Sequence, residues 1–306
     1  ENTARTLNNL AMLLKDKGEH DEAEEKFRRV LAIFEKNQAS DLEAIASVVN
    51  NLALVLEYKR SLDDAIVMYR RLLEIKEKIH SPNHIGTADF VLSLGRVLQD
   101  AEQLEESETM FRRVLAIYEK EYGPEHIDTA KTYNNLGLLL EDKLQHEEAE
   151  IMYRRAIAIK EKIHGPEHPS TSNTNNNLAM VLHARGQLDE AEKLLRGVLL
   201  LRSKLYGPDH SFTAITHAHL ARVLLDKRQF DEAIVLFHRA LVNNDKDGSD
   251  PPYSVYLQGC IGAVAMLKGL SDAPSGTEGT DGRGAVEKAI TELTSPPHSE
   301  VGFDKQ

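Results

Sequence analysis

Thr129–Ser170, TAKTYNNLGLLLEDKLQHEEAEIMYRRAIAIKEKIHGPEHPS, is one complete copy of a 42-residue unit, and most of the 306-residue chain is that unit again. An anchor leucine recurs without slippage at Leu10, Leu52, Leu94, Leu136, Leu178 and Leu220. A small residue follows it each time (Ala11, Ala53, Gly95, Gly137, Ala179, Ala221). Four positions past the anchor stands a second leucine: Leu14, Leu56, Leu98, Leu140, Leu182 or Leu224. Thirteen positions past it comes Ala23, Ala65, Ser107, Ala149, Ala191 or Ala233; at seventeen, bulky Phe27, Tyr69, Phe111, Tyr153, Leu195 or Phe237. Self-similarity at a fixed period of this length marks a repeat array.

Each copy reads as two helices. From Thr129 to about Asp142, apolar or small residues fall at Tyr133, Leu136, Gly137 and Leu140, the three-and-four spacing of one helical face. From about Glu147 to Ile163 the spacing returns through Ala149, Met152, Tyr153, Ala156 and Ile157. Small residues on both helices let the axes approach closely, and the bulky residue fills the seam. Neither helix buries this face alone, so stacking on the next copy is required. The second helix opens on paired acids (Asp21-Glu22, Asp63-Asp64, Glu105-Glu106, Glu147-Glu148, Asp189-Glu190, Asp231-Glu232), read as caps at the positive end of the helix dipole. Loops of GPEH type join the copies: Ser81 to His84, Gly123 to His126, Gly165 to His168 and Gly207 to His210. Glycine ends a helix and proline cannot continue it. One histidine per loop, a full repeat from the next, predicts a loop or capping role, since such residues cannot converge on one ion.

These features resemble the tetratricopeptide repeat, and the 42-residue period with its NNLA, YRRAL-like and GPEHP strings is similar to the kinesin light chain subclass. The resemblance covers residues 1–245. It implies an all-α, right-handed α-α superhelix of six helix-pair repeats, a tetratricopeptide-type solenoid whose first helices line a concave wall. Pro252 to Leu267, through Val255, Ile261, Val264 and Leu267, is read as a capping half-repeat (246–270). Residues 271–306 are read as a flexible linker, a short helix and a disordered tail. The third copy departs from the pattern, with FVLSLG and Ser107. The chain opens inside a motif at Glu1, which predicts sequence missing upstream.

Composition narrows the function. A chain 41% hydrophobic and 28% charged supports a continuous stacked core. A net charge of −12 opposes nucleic-acid binding. No signal-like or membrane-spanning apolar stretch is read in these residues, so no membrane partner is expected, and one cysteine, Cys260, is compatible with a reducing, cytoplasmic setting. No phosphate-cradling glycine loop, HExxH pair or nucleophile elbow occurs. The expectation is a non-enzyme with no catalytic or metal residues, no cofactor, no small-molecule substrate, and a protein or peptide partner.

Two periodic polar features remain. The arginine pairs Arg28-Arg29, Arg70-Arg71, Arg112-Arg113 and Arg154-Arg155 are expected to pair with acids of adjacent helices, the alternative being an anionic-ligand track. The asparagine pairs Asn8-Asn9, Asn50-Asn51, Asn134-Asn135 and Asn176-Asn177 sit mid-helix, where asparagine costs roughly half a kcal/mol relative to alanine. They are candidates for holding an extended peptide through donor and acceptor amides, or else for fixing repeat geometry. Arg96, Lys131 and Arg222 flank them and suit a ligand with apolar anchors and acids. The reading is an interaction scaffold that binds an extended segment in the groove; the alternative is an architectural or autoregulatory segment of a larger protein.

Overall fold

The computed structural model describes residues 2–37, 41–246 and 251–272. All described secondary structure is helical: α1 (Asn2–Asp16), α2 (His20–Lys36), α3 (Leu42–Tyr58), α4 (Leu62–His80), α5 (Ile85–Asp100), α6 (Leu104–Glu121), α7 (Ile127–Asp142), α8 (His146–His164), α9 (Pro169–Ala184), α10 (Leu188–Tyr206), α11 (Ser211–Asp226), α12 (Phe230–Lys246) and α13 (Pro251–Asp272). The six copies supply α1 to α12 in pairs, and α13 follows. The chain divides into two compact units, one ending at Lys143 and one starting at Leu144. The fourth copy therefore gives α7 to the first unit and α8 to the second.

In each unit a helix packs chiefly on its neighbours in sequence. The seam residues carry the core: Phe27, Phe111, Tyr153, Leu195 and Phe237 are fully buried, and Tyr69 nearly so, beside Ala23, Ala65, Ala149, Ala191 and Ala233. In the third copy Ser107 replaces that alanine and donates its hydroxyl to the Gly95 carbonyl at 2.7 Å. A Cβ on Gly95 would lie 2.8 Å from the Phe111 ring, so this copy's departures interlock.

The loops show how one helix hands over to the next. His84, His126, His168 and His210 are the N-caps of α5, α7, α9 and α11, and each side chain accepts the backbone N–H two residues on. The expected capping role of the loop histidines is thus met by Nδ1. The chain enters each loop through a left-handed residue, at Ser81, Gly123, Gly165 and Gly207. The tighter turns within a copy use Gly18 and Gly186, but also Arg60, Glu102, Leu144 and Arg228 with φ near 59°. For a side-chain-bearing residue this conformation costs roughly 1–2 kcal/mol.

The paired acids are not caps. The N-cap positions before α2, α4, α6, α8 and α10 are Glu19, Ser61, Gln103, Gln145 and Gln187, none with a side-chain cap bond. The acids lie in the first turn, favourable to the dipole, and the leading acid also reaches the next copy. Asp21 meets Lys59, Glu105 meets Lys143, Glu147 meets Arg185 and Asp189 meets Lys227. The same cations bond Glu24, Glu108, Glu150 and Glu192 one turn later. Burial pushes the Glu108 carboxyl up, but hydrogen bonds from Lys143 and Arg112 outweigh it and leave its pKa below the usual value.

α13 caps α12 as expected, yet through Leu257, Cys260, Ala263 and Val264, all buried. Val255 is exposed because it falls on the opposite side of the helix. Cys260 is a buried thiol. The linker reading begins two residues early, since α13 runs to Asp272, and residues 273–306 lie outside the described chain.

Candidate functional site

In the N-terminal unit the asparagines are exposed or half-buried. Asn9 is exposed, and Asn8, Asn50, Asn51, Asn134 and Asn135 are half-buried. Asn8 points its amide at Met12 Sδ (3.7 Å), while its buried Oδ1 has no partner. Asn51 is engaged: Lys15 Nζ donates to its Oδ1 at 3.1 Å, and its Nδ2 donates to the Ser47 carbonyl at 3.1 Å. Arg96 and Lys131 are exposed but not isolated. Arg96 lies 3.4 Å from Glu57, which also accepts the Tyr69 hydroxyl at 2.9 Å. Lys131 pairs with Asp128 at 2.9 Å. Gln99 Nε2 donates to Asp142 at 2.5 Å, a bond between first helices of consecutive copies.

The C-terminal unit treats the same positions differently. Asn176 and Asn177 are 1% and 7% exposed. His219 Nδ1 stands 3.1 Å from Asn176 Oδ1, so the following first helix covers this amide. Asn177 Nδ2 is buried without a partner. Burial drives the His219 pKa well below its ordinary value, reinforced by Arg222, Arg202 and His183. Arg222 is thus a half-buried cation beside a neutral imidazole. One turn on, His183 Nε2 lies 2.6 Å from Asp226. Beneath them Arg202 is fully buried and donates to the Phe212 carbonyl (2.9 Å), Thr216 Oγ1 (2.9 Å) and Asn173 Oδ1 (2.9 Å). Lys160 does the same to the Ser170 carbonyl and Thr174 Oγ1, at 3.2 and 2.7 Å. Sequence reasoning missed this position. The signal was that one register carries a cation facing a threonine fourteen residues on in two successive copies, Lys160 with Thr174 and Arg202 with Thr216.

The arginine pairs form the expected ion pairs only in part. Arg28 meets Asp64, Arg70 meets Glu106, Arg71 meets Glu35, Arg113 meets Glu77 and Arg154 meets Glu190 on adjacent helices, whereas Arg29 meets Glu25, Arg112 meets Glu108 and Arg154 also meets Glu150 on their own helices. Among the described residues no cluster of three His, Cys, Asp or Glu is placed to hold a metal ion. No described helix is long and apolar enough to cross a membrane.

Tetratricopeptide repeat family models match residues 3–36, 45–86, 89–162 and 170–241, more than half of the chain. No curated protein matches it in sequence. Among solved structures, the chain is similar to a putative kinesin light chain with nearly identical TPR-like repeats from Podosopora anserina. That likeness has 25% identity, a TM-score of 0.59, and covers 67% of this chain and 97% of that one. A tetratricopeptide repeat protein from Parabacteroides merdae matches in fold at 17% identity and a TM-score of 0.63, covering 96% of this chain and 98% of that one. BtubC (BKLC) from P. vanneervenii does so at 18% and 0.60, covering 76% and 92%. The period, the helix pairs and these matches agree: the chain belongs to the tetratricopeptide repeat family, in its kinesin light chain-like subclass.

Proposed function

We propose that this chain is a non-enzymatic interaction module that holds an extended segment of a partner protein against the first helices of its N-terminal unit. Repeats of this family are generally protein-interaction scaffolds. The observation that carries the finer reading is the exposure of Asn9 and half-exposure of Asn50 and Asn135 in mid-helix, where asparagine weakens a helix by roughly half a kcal/mol. An amide both donates and accepts, so it bonds a peptide main chain whatever the side chains are. Prefolded helices lose little entropy on binding. Glu57 and Asp128 neutralise Arg96 and Lys131 locally, so the ligand is selected by main-chain bonds and by apolar contact at Met12 and Leu54 more than by acidity. The expected compartment is the cytoplasm, where Cys260 stays reduced.

The test is capture of partners from native lysate by the wild type and by an Asn9/Asn50/Asn135→Ala variant of equal helicity by circular dichroism. Partners lost from the variant support the reading; the same partners retained refute it. A second reading, an architectural or autoregulatory segment of a larger protein, is favoured by the buried Asn176 and its contact with His219. It expects unchanged partners in that experiment.

A further inference from the structure

The fifth copy has lost an arginine that the others carry. At the second position of the arginine pair stand Arg29, Arg71, Arg113, Arg155, Gly197 and Arg239. In two copies of the N-terminal unit this guanidinium reaches the carboxylate 36 residues earlier: Arg71 to Glu35 at 2.8 Å and Arg113 to Glu77 at 2.6 Å. Arg113 also donates to the Pro82 carbonyl, 31 residues earlier. Counting back from Gly197 by 36 and 31 gives Glu161 and Pro166. By register the fifth copy carries both acceptors of that seat, Glu161 and the Pro166 carbonyl, and lacks the guanidinium; Pro166 lines the cleft between α9 and α10, and Glu161 is assigned to it by the repeat offset alone.

The hollow is deepened from the facing helix. Three residues before the anchor, where other copies place Leu7, Val49, Val91, Tyr133 and His217, the fifth has Asn175. Six before the anchor, alanine in every other copy becomes Ser172. The sixth copy shows that these registers face each other, because Arg239 helps to depress the His217 pKa. Between α9 and α10 this leaves a cleft of about 520 Å³ that includes Pro166, Ser172, Asn175, Leu194, Gly197 and Leu201, a size suited to a small ligand group. Ser172 is 1% exposed, lines the cleft, and its Oγ has no hydrogen-bond partner. A Cβ on Gly197 would meet nothing within 4 Å. Leu200, at the rim, is 75% exposed, so its flank lacks cover.

We infer that this cleft is a second protein-binding site whose occupant is an arginine side chain from a partner, taking the seat that Gly197 leaves empty. Leu194 and Leu201 flank the methylene stem, as apolar surface does for long cationic side chains. The guanidinium meets the Glu161 carboxylate and the Pro166 carbonyl, a planar fork for which lysine is a poor substitute. Two cations also line the cleft. Lys204 is paired with Glu167 at 3.2 Å, while exposed Lys193 opposes an incoming arginine and favours a carboxylate.

The experiment titrates the full chain, observed by NMR, with the probe acetyl-Leu-Arg-Leu-amide and with versions carrying citrulline or glutamate in place of arginine. Citrulline keeps the shape and removes the charge. The arginine peptide is expected to saturate and to bind about tenfold or more tightly than the citrulline peptide. Glu161→Gln should bring the two peptides level. Gly197→Arg should abolish binding while melting no lower than the wild type, since the restored side chain fills its own seat. Equal binding of arginine and citrulline peptides, no saturation by the arginine peptide, or binding that survives Gly197→Arg would each overturn the inference. Tighter binding of the glutamate peptide would also overturn it, making the cleft a carboxylate site on Lys193.

Discussion

Asn50 and Asn176 occupy the same register of the same repeat and have different surroundings. Asn50 is half-exposed in the N-terminal unit, whereas Asn176 is buried and held by His219. The buried cations differ in parallel. Lys76 meets the exposed carboxylate of Glu43 at 2.5 Å, while Lys160 and Arg202 are buried on carbonyl and threonine oxygens. A repeat residue therefore has no function of its own; the register places it, and the next copy decides whether it faces solvent or a neighbour.

Arg202→Met should separate the two units most strongly. Three acceptors lose a fully buried donor, so urea unfolding should show a loss of roughly 3 kcal/mol. Lys76→Met, at the same register on a half-exposed pair, should cost less than about 1 kcal/mol. Equal losses would mean that the buried network contributes nothing special.

The next effect concerns acid. Burial, helped by Arg239, lowers the His217 pKa from 6.5 to about 4. The unfolded imidazole then binds its proton first as pH falls, and stability drops with it. His217 should add stability in full above pH 6.5 and lose it progressively down to about pH 4. Urea midpoints measured across this window should flatten in a His217→Leu variant; an unchanged slope would place the acid sensitivity elsewhere.

The smallest effect is the most direct comparison of the asparagines. Asn176→Ala leaves His219 Nδ1 without its contact and should destabilise by about 1 kcal/mol. Asn50→Ala should be neutral or gain up to roughly half a kcal/mol from helix propensity. Matching losses at both positions would make the asparagines structural throughout and remove the main support for the N-terminal peptide-binding reading.

Helix number, pairing and core positions were legible in the sequence because the period puts each side chain in one of a few registers. Leu52, Ala65 and Tyr69 are buried where the pattern places them. The loop histidines were legible as caps for the same reason. The paired acids misled, because a first-turn carboxylate and an N-cap lie only two residues apart in sequence but differ in geometry. Their partners, Lys59, Lys143, Arg185 and Lys227, sit on the next copy. The candidate site was half legible. Mid-helix asparagine is conspicuous in a sequence, but its surroundings depend on neighbouring copies: His219 on the next first helix meets Asn176, and Lys15 on the preceding one meets Asn51.

The interlock of Gly95, Ser107 and Phe111 bears on how such a chain is inherited. All three lie in one helix pair, so a genetic duplication of the whole 42-residue unit copies the solution intact. The ion pairs obey another rule: Arg71 with Glu35 and Arg113 with Glu77 share one offset, so a duplicated copy finds partners on either side. Recombination that cuts between the two helices of the third copy would part Ser107 and Phe111 from Gly95 and put the commoner alanine of the other copies in its place. Duplication of the whole pair preserves this fit, and a cut within the pair does not.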